Sequence, residues 1–259
     1  MTGNPAEAPW AISGDITEEA AALGAAVLDR QIAARLLGGL AVWLRCPSVR
    51  TGRFARSYGD MDFAVSKADA MKLRAMLEER GYLPDKFFNG LHGATRLYYA
   101  APDGRWSIDV VIDGLNMSHN LDLRGRLSGP APSVSLADLL LTKLQVFEIT
   151  GKDLGDALCL LADHGVCDSD GDADAIGLPR LTSVLAGDWG FCHTVQGNLR
   201  KVAELWRVVP LAAAPHDVTA QVAAIEAAIA AAPKSRAWKL RSRIGERIRW
   251  YETPEEVRH

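Results

Sequence analysis

The chain has 259 residues, a net charge of -3 and 48% apolar residues, a length that fits one large domain or a core domain with a smaller one. Nothing in that balance announces nucleic acid, although the acidic excess lies in the first two-thirds of the chain and the last stretch is basic. Cys46, Cys159, Cys167 and Cys192 show no Cys-x-x-Cys spacing, which leaves no case for a disulfide framework or a zinc site. The first residues lack the basic and apolar regions of a signal peptide, and the apolar runs are too short to span a bilayer. A cytoplasmic protein with reduced thiols and no membrane association is the expectation.

Residues 1–16, with Pro5, Pro9 and Gly14, read as an extended leader. From Thr17 to Asp29 an Ala-rich helix opens on Glu18 and Glu19, acids that suit the positive end of the helix dipole. Ile32 to Leu37 reads as a short buried strand, Gly38-Gly39 as a turn, and Leu40 to Leu44 as a short helix. Two adjacent glycines let the backbone approach a ligand, and the amides that open the next helix would face a phosphate; an ordinary strand-to-helix turn is the alternative.

A loop with Arg50, Arg53 and Arg56 leads into the strand Asp60-Met-Asp62-Phe-Ala-Val. Residues i and i+2 of a strand share a face, so Asp60 and Asp62 stand side by side while Met61 and Phe63 face the core. Two such carboxylates repel each other unless they are solvated, paired with Arg53 or Arg56, or neutralised by a hard cation such as Mg²⁺. Lys67 to Arg80 is amphipathic, with Ala70, Met71, Leu73 and Leu77 at helical spacing, and Gly81 ends it. Three strand-like pieces follow: Tyr82 onward, Thr95 to Ala100, and Trp106 to Asp113, the last two joined as a hairpin by Pro102-Asp103-Gly104. Asp109 sits amid Ile108, Val110, Val111 and Ile112, where a carboxylate is costly without a partner. It is either on a solvated face or, if the two strands are neighbours, the third member of a carboxylate site with Asp60 and Asp62.

Residues 114–134 read as a loop, and Ser135 with Asp138 caps a helix from Leu136 to Ile149. Lys143, inside that apolar run, either snorkels to the surface or reaches a phosphate as a point charge. Thr150-Gly151 breaks the helix, and Lys152-Asp153-Leu-Gly-Asp156 starts another. Asp168 to Asp174 lacks the glycine and the acid of a calcium loop at the required positions, and reads as a solvated acidic linker. Beyond it, Leu181 to Leu185, Val195 to Val209 and Val218 to Ala231 read as helices. Lys234 to Tyr251 alternates basic residues with aromatics; it either tracks a phosphate backbone or, the favoured reading, packs Trp238, Ile244, Ile248 and Tyr251 on the acidic core.

Taken in order, the Gly38-Gly39 pair, the arginine loop, Asp60-x-Asp62, Asp109, Lys143 and Lys152-Asp153-x-x-Asp156 resemble the nucleotidyltransferases of the DNA polymerase β superfamily, most closely the AbiEii-type toxin branch. The resemblance covers about residues 17 to 165; Ser57 stands three residues before Asp60, where the family has its serine two before. It implies an α+β fold over residues 17–165: a polymerase β-like palm, a mixed sheet flanked by helices. The acidic stretch at 166–178 reads as the linker from it to a C-terminal helical domain at 179–259. It also implies that Asp60, Asp62 and Asp109 bind two Mg²⁺ ions and an NTP, that Gly38 and Gly39 give amides to its phosphates, and that Lys143 neutralises charge growing there. Asp153 would orient Lys143 or the acceptor, and Arg56 would contact the γ-phosphate or pair with Asp60, with Ser57 beside it. The implied reaction moves NMP to an acceptor hydroxyl, a tRNA 3′ end ahead of a small molecule such as an antibiotic, with an antitoxin protein as a possible partner. A catalytically silent nucleotide-binding module and a kinase-like use of the fold are the competing readings.

Overall fold

The computed structural model describes residues 12–253; most of the expected leader lies outside the described residues. Helix α1 (Ile16–Asp29) is capped by the Asp15 carboxylate, which accepts from the Thr17 and Glu18 amides. Glu19, expected only to complement the helix dipole, is fully buried and takes a forked ion pair from Arg80 at 2.9 and 2.6 Å and a bond from the Tyr82 hydroxyl.

Strand β1 (Ala34–Leu37), buried at every position, runs straight into α2 (Gly38–Arg45). Two short turns of 3-10 helix precede β2 (Asp60–Val65), and α3 (Ala70–Arg80) ends at Gly81, whose φ of 103° few other residues tolerate. Met71, placed by spacing on the apolar face of α3, is instead 67% exposed. The strand expected from Tyr82 shrinks to β3 (Leu83–Pro84), because Asp85 caps a helix, α4 (Lys86–His92), by accepting from the Phe88 amide. Then β4 (Arg96–Ala100) and β5 (Ser107–Ile112) form the expected antiparallel hairpin.

These strands make one five-stranded mixed sheet in the order β1-β2-β5-β4-β3, with β2 and β5 parallel and the other pairs antiparallel. Residues 114–134, expected as loop throughout, contain a small hairpin of β6 (Gly114–Asn116) and β7 (Asn120–Asp122). Helix α5 (Leu136–Leu144) starts at the expected Ser135 cap but stops five residues short of Ile149, and α6 (Gly151–Asp163) starts from the Thr150 cap.

The acidic stretch is exposed but not wholly free: Asp170 pairs with Arg126 at 2.9 Å and Asp174 with Arg45 at 3.0 Å, while β8 (Val166–Cys167) and β9 (Ile176–Gly177) pair across it. Helices α7 (Leu178–Leu185), α8 (Trp189–Val208) and α9 (Val218–Ala231) pack on α5 and α6, and their apolar residues join those of the sheet in one continuous buried cluster. Helix α8 begins six residues before the expected start, because the Asp188 carboxylate accepts from the Phe191 amide. Helix α10 (Arg236–Ile244) buries none of its residues. Of the four side chains expected to pack there, Trp238 donates its indole N–H to the Leu185 carbonyl at 3.1 Å and Tyr251 stacks on Phe147, whereas Ile248 is 60% exposed and Ile244 lies at the surface. Gly245, with φ 60°, ends α10 directly after Ile244, so Ile248 does not continue that helix.

Candidate active site

One cleft of about 1190 Å³ gathers most of the residues singled out in the sequence: Gly38, Gly39, Arg56, Ser57, Asp60, Asp62, Asp109, Lys143 and Asp153 all line it. Its floor is the parallel pair β2 and β5, in which Asp62 lies opposite Asp109 and Asp60 opposite Ser107. The alternation of each strand turns all three carboxylates to the cleft while Met61, Phe63, Ile108 and Val110 are wholly buried behind them. Burial, and then the neighbouring charges of Asp60 and Asp109, push the Asp62 carboxyl up to about 7.

The glycine pair is there because nothing larger fits. In the register of β1 on β2, Leu37 faces Asp62, so the next residue, Gly38, lies against that carboxylate. A Cβ on Gly38 would stand 1.8 Å from Asp62 Oδ2, and its φ of 72° is itself one that glycine favours. A Cβ on Gly39 would meet Arg56 Nη2 at 2.9 Å and the Tyr58 ring at 3.0 Å. Helix α2 has no side-chain cap, so its first amides, beside Asp62, are open to an anion from the cleft.

Arg56 pairs neither with Asp60 nor with open solvent. It makes a fork to Asp156 at 2.6 and 2.8 Å, because α6 brings Asp156, one turn beyond Asp153, to the wall of the cleft with no exposure of its own. Lys143 does not snorkel: it is buried, 2.9 Å from both Asp153 and Asp156. Burial alone would lower the Lys143 ammonium, but Asp156 and then Asp153 hold it above its usual range. Burial likewise pushes Asp153 upward, and Lys143 and Thr150 more than reverse it. Arg56, Lys143, Asp153 and Asp156 thus form a closed, charge-balanced network at the cleft wall, with the Tyr58 hydroxyl buried beside it without a partner. Ser57 is exposed at the rim.

Among the described residues, no hydrogen bond or ion pair reaches the carboxylate of Asp60 or of Asp62. Asp109 differs: Arg96 Nε lies 2.8 Å from its Oδ1 and 3.0 Å from its Oδ2, and Nη2 bonds Oδ2 as well. Sequence reasoning passed over Arg96 and gave Asp156 no role. The signals were present: strand alternation puts Arg96 on the face of Asp109 once the hairpin is drawn, and Asp156 follows Asp153 at helical spacing.

The donor set fits a divalent cation at Asp60 and Asp62, two adjacent hard oxygen donors with mutual repulsion to relieve and a glycine where any side chain would intrude. Among the described residues no group of three or more His, Cys, Asp or Glu side chains is arranged to hold a metal, although Asp109 stands in the same cleft as Asp60 and Asp62. Arg96 occupies both oxygens of Asp109.

No protein-family model and no curated protein matches the chain. Among solved structures it is similar to the crystal structure of an antigenic nucleotidyltransferase-like protein from Paracoccidioides brasiliensis, at 15% identity and a TM-score of 0.39, over 87% of this chain and 96% of that one.

Proposed function

We propose that the chain is a divalent-cation-dependent nucleotidyltransferase that moves a nucleoside monophosphate from an NTP to an acceptor hydroxyl and releases pyrophosphate. The observation that carries the reading is the pairing of Asp62 with Asp109 across β2 and β5, with Asp60 on the same face and the uncapped start of α2 against Asp62. A polymerase β-like palm of the AbiEii type would place its chemistry in this way.

In this reading Asp60 and Asp62 would hold Mg²⁺, and the chemistry such an ion would supply is charge neutralisation for an in-line displacement at the α-phosphate. The α2 amides receive phosphate oxygens, and Gly38 and Gly39 allow that approach. Asp109 lies beside the pair, where it orients the acceptor hydroxyl and receives its proton. The Arg56–Asp156–Lys143–Asp153 network would fix the wall against which the triphosphate lies, with Lys143 the residue that neutralises charge on its phosphates.

An RNA 3′ end is favoured over a small-molecule hydroxyl as acceptor. A second cavity, lined by Trp189, Trp250, Arg241 and Arg249, shares Asn116, Asn120 and Glu252 with the cleft, and Arg236, Lys239, Arg243 and Arg247 are exposed on the adjoining segment.

Incubation with Mg²⁺, each α-labelled NTP in turn and total tRNA tests the reading. Label on RNA that vanishes with Asp60→Ala supports it; label on a small molecule keeps the transfer and replaces the acceptor. No transfer and no nucleotide binding would overturn it.

A further inference from the structure

Arg96 on β4 and Asp109 on β5 are diagonal neighbours across an antiparallel pair: Arg96 faces Val111, and Tyr98 faces Asp109. The planar guanidinium spans both oxygens of the carboxylate, the geometry in which arginine binds most strongly and with least loss of freedom. The carboxylates of Asp60 and Asp62, by contrast, take no hydrogen bond or ion pair from the described residues, although the charges of Lys143 and Arg96 act on Asp62. With the Asp62 proton displaced by a bound cation, three carboxylates and one guanidinium leave a surplus of two negative charges on this face, which a single divalent ion neutralises. A second ion would have to displace the arginine or sit against it, at the cost of like-charge repulsion at short range.

We infer that Arg96 holds Asp109 out of metal ligation, so that the nucleotide-free cleft takes one divalent cation, on Asp60 and Asp62, and the guanidinium supplies the second positive charge. The inference rests on the proposed cation-dependent reading of the cleft. It replaces the two-ion expectation with one ion and one fixed organic cation. Metal supply then titrates a single site, and the charge beside Asp109 persists when free Mg²⁺ is low.

The test is Mn²⁺ binding to the full chain without nucleotide, with free ion read by electron paramagnetic resonance and heat by calorimetry. One ion is expected in the wild type and none in Asp62→Asn. Asp109→Asn, which keeps the shape of the side chain, is expected to bind that ion as the wild type does. Arg96→Gln is expected to take up a second ion, and Arg96→Gln combined with Asp109→Asn to lose it again. Two ions in the wild type, or one ion in Arg96→Gln, would overturn the inference while leaving the cation-dependent reading intact. So would a loss of about tenfold or more in Asp109→Asn, the size expected when a metal ligand's shell is broken. No ion in the wild type would end both. Should Arg96→Gln fail to fold, the comparison of wild type with Asp109→Asn decides alone.

Discussion

Asp62 stands directly opposite Asp109 where β2 and β5 run parallel, and the same carboxylate is the atom group that a side chain on Gly38 would strike. One aspartate therefore feels two like charges and a backbone too close for any residue with a Cβ.

The first consequence is a titration. Asp62 is raised to about 7 by burial and by Asp60 and Asp109, above the value of an aspartate in an unfolded chain. A raised folded pKa lends stability that is complete below the unfolded value and lost as pH climbs through the folded one. Stability from this group should fall between about pH 4 and pH 7 and then level off. Carboxyl carbon NMR should show Asp62 titrating near neutrality, with Mg²⁺ moving the midpoint down; Asp62→Asn should gain on the wild type as pH rises. A midpoint near 4 would contradict the site's electrostatics.

Gly38→Ala should cost both stability and the cleft. Its φ of 72° alone costs an L-residue about 1 kcal/mol or more, and the added methyl must displace Asp62. A clear fall in the urea midpoint is expected, together with loss of Mn²⁺ binding. An unchanged midpoint would mean that the backbone at Gly38 leaves room for a methyl beside Asp62.

Asp156→Ala should be the most destabilising of the cleft substitutions. The carboxylate is fully buried and answers both Arg56 and Lys143, so its removal leaves two cations facing one remaining acid. Breaking such a buried pair from one side costs about 3–5 kcal/mol. Denaturant unfolding measures it, and a cost below about 1 kcal/mol, the figure for surface pairs, would show that the network is solvated.

Asp62→Ala should abolish Mg²⁺-dependent transfer, by about a thousandfold or more, since several kcal/mol of charge stabilisation leave with the ion. The fold should survive, because the change relieves repulsion. An active, correctly folded Asp62→Ala would remove the metal assignment.

Much of the cleft was legible because it is written locally. Asp60 and Asp62 share a face by strand alternation, the hairpin of β4 and β5 is announced by Pro102-Asp103-Gly104, and Ser135 caps α5 as its side chain allows. The misses follow from partners far apart in the chain. Arg56, for which the γ-phosphate and Asp60, four residues away, were the alternatives, forks instead to Asp156, 100 residues on. Lys143 was offered a route to solvent that the packing of α5 under α6 closes. Ile244 and Ile248 were expected to pack on the core with Trp238, but α10 ends at Gly245 between them and both lie at the surface.

The sequence by itself determined which residue types occupy the strand faces and helix caps, since period, turn chemistry and capping act over a few residues. Only the tertiary structure decided which charges meet: that β5 lies parallel to β2 and brings Asp109 level with Asp62, that α6 delivers Asp156 to Arg56 and Lys143, and that Arg96 answers Asp109. Those pairings depend on strand order and helix docking, which the burial of one continuous core selects for the chain as a whole and no local segment encodes.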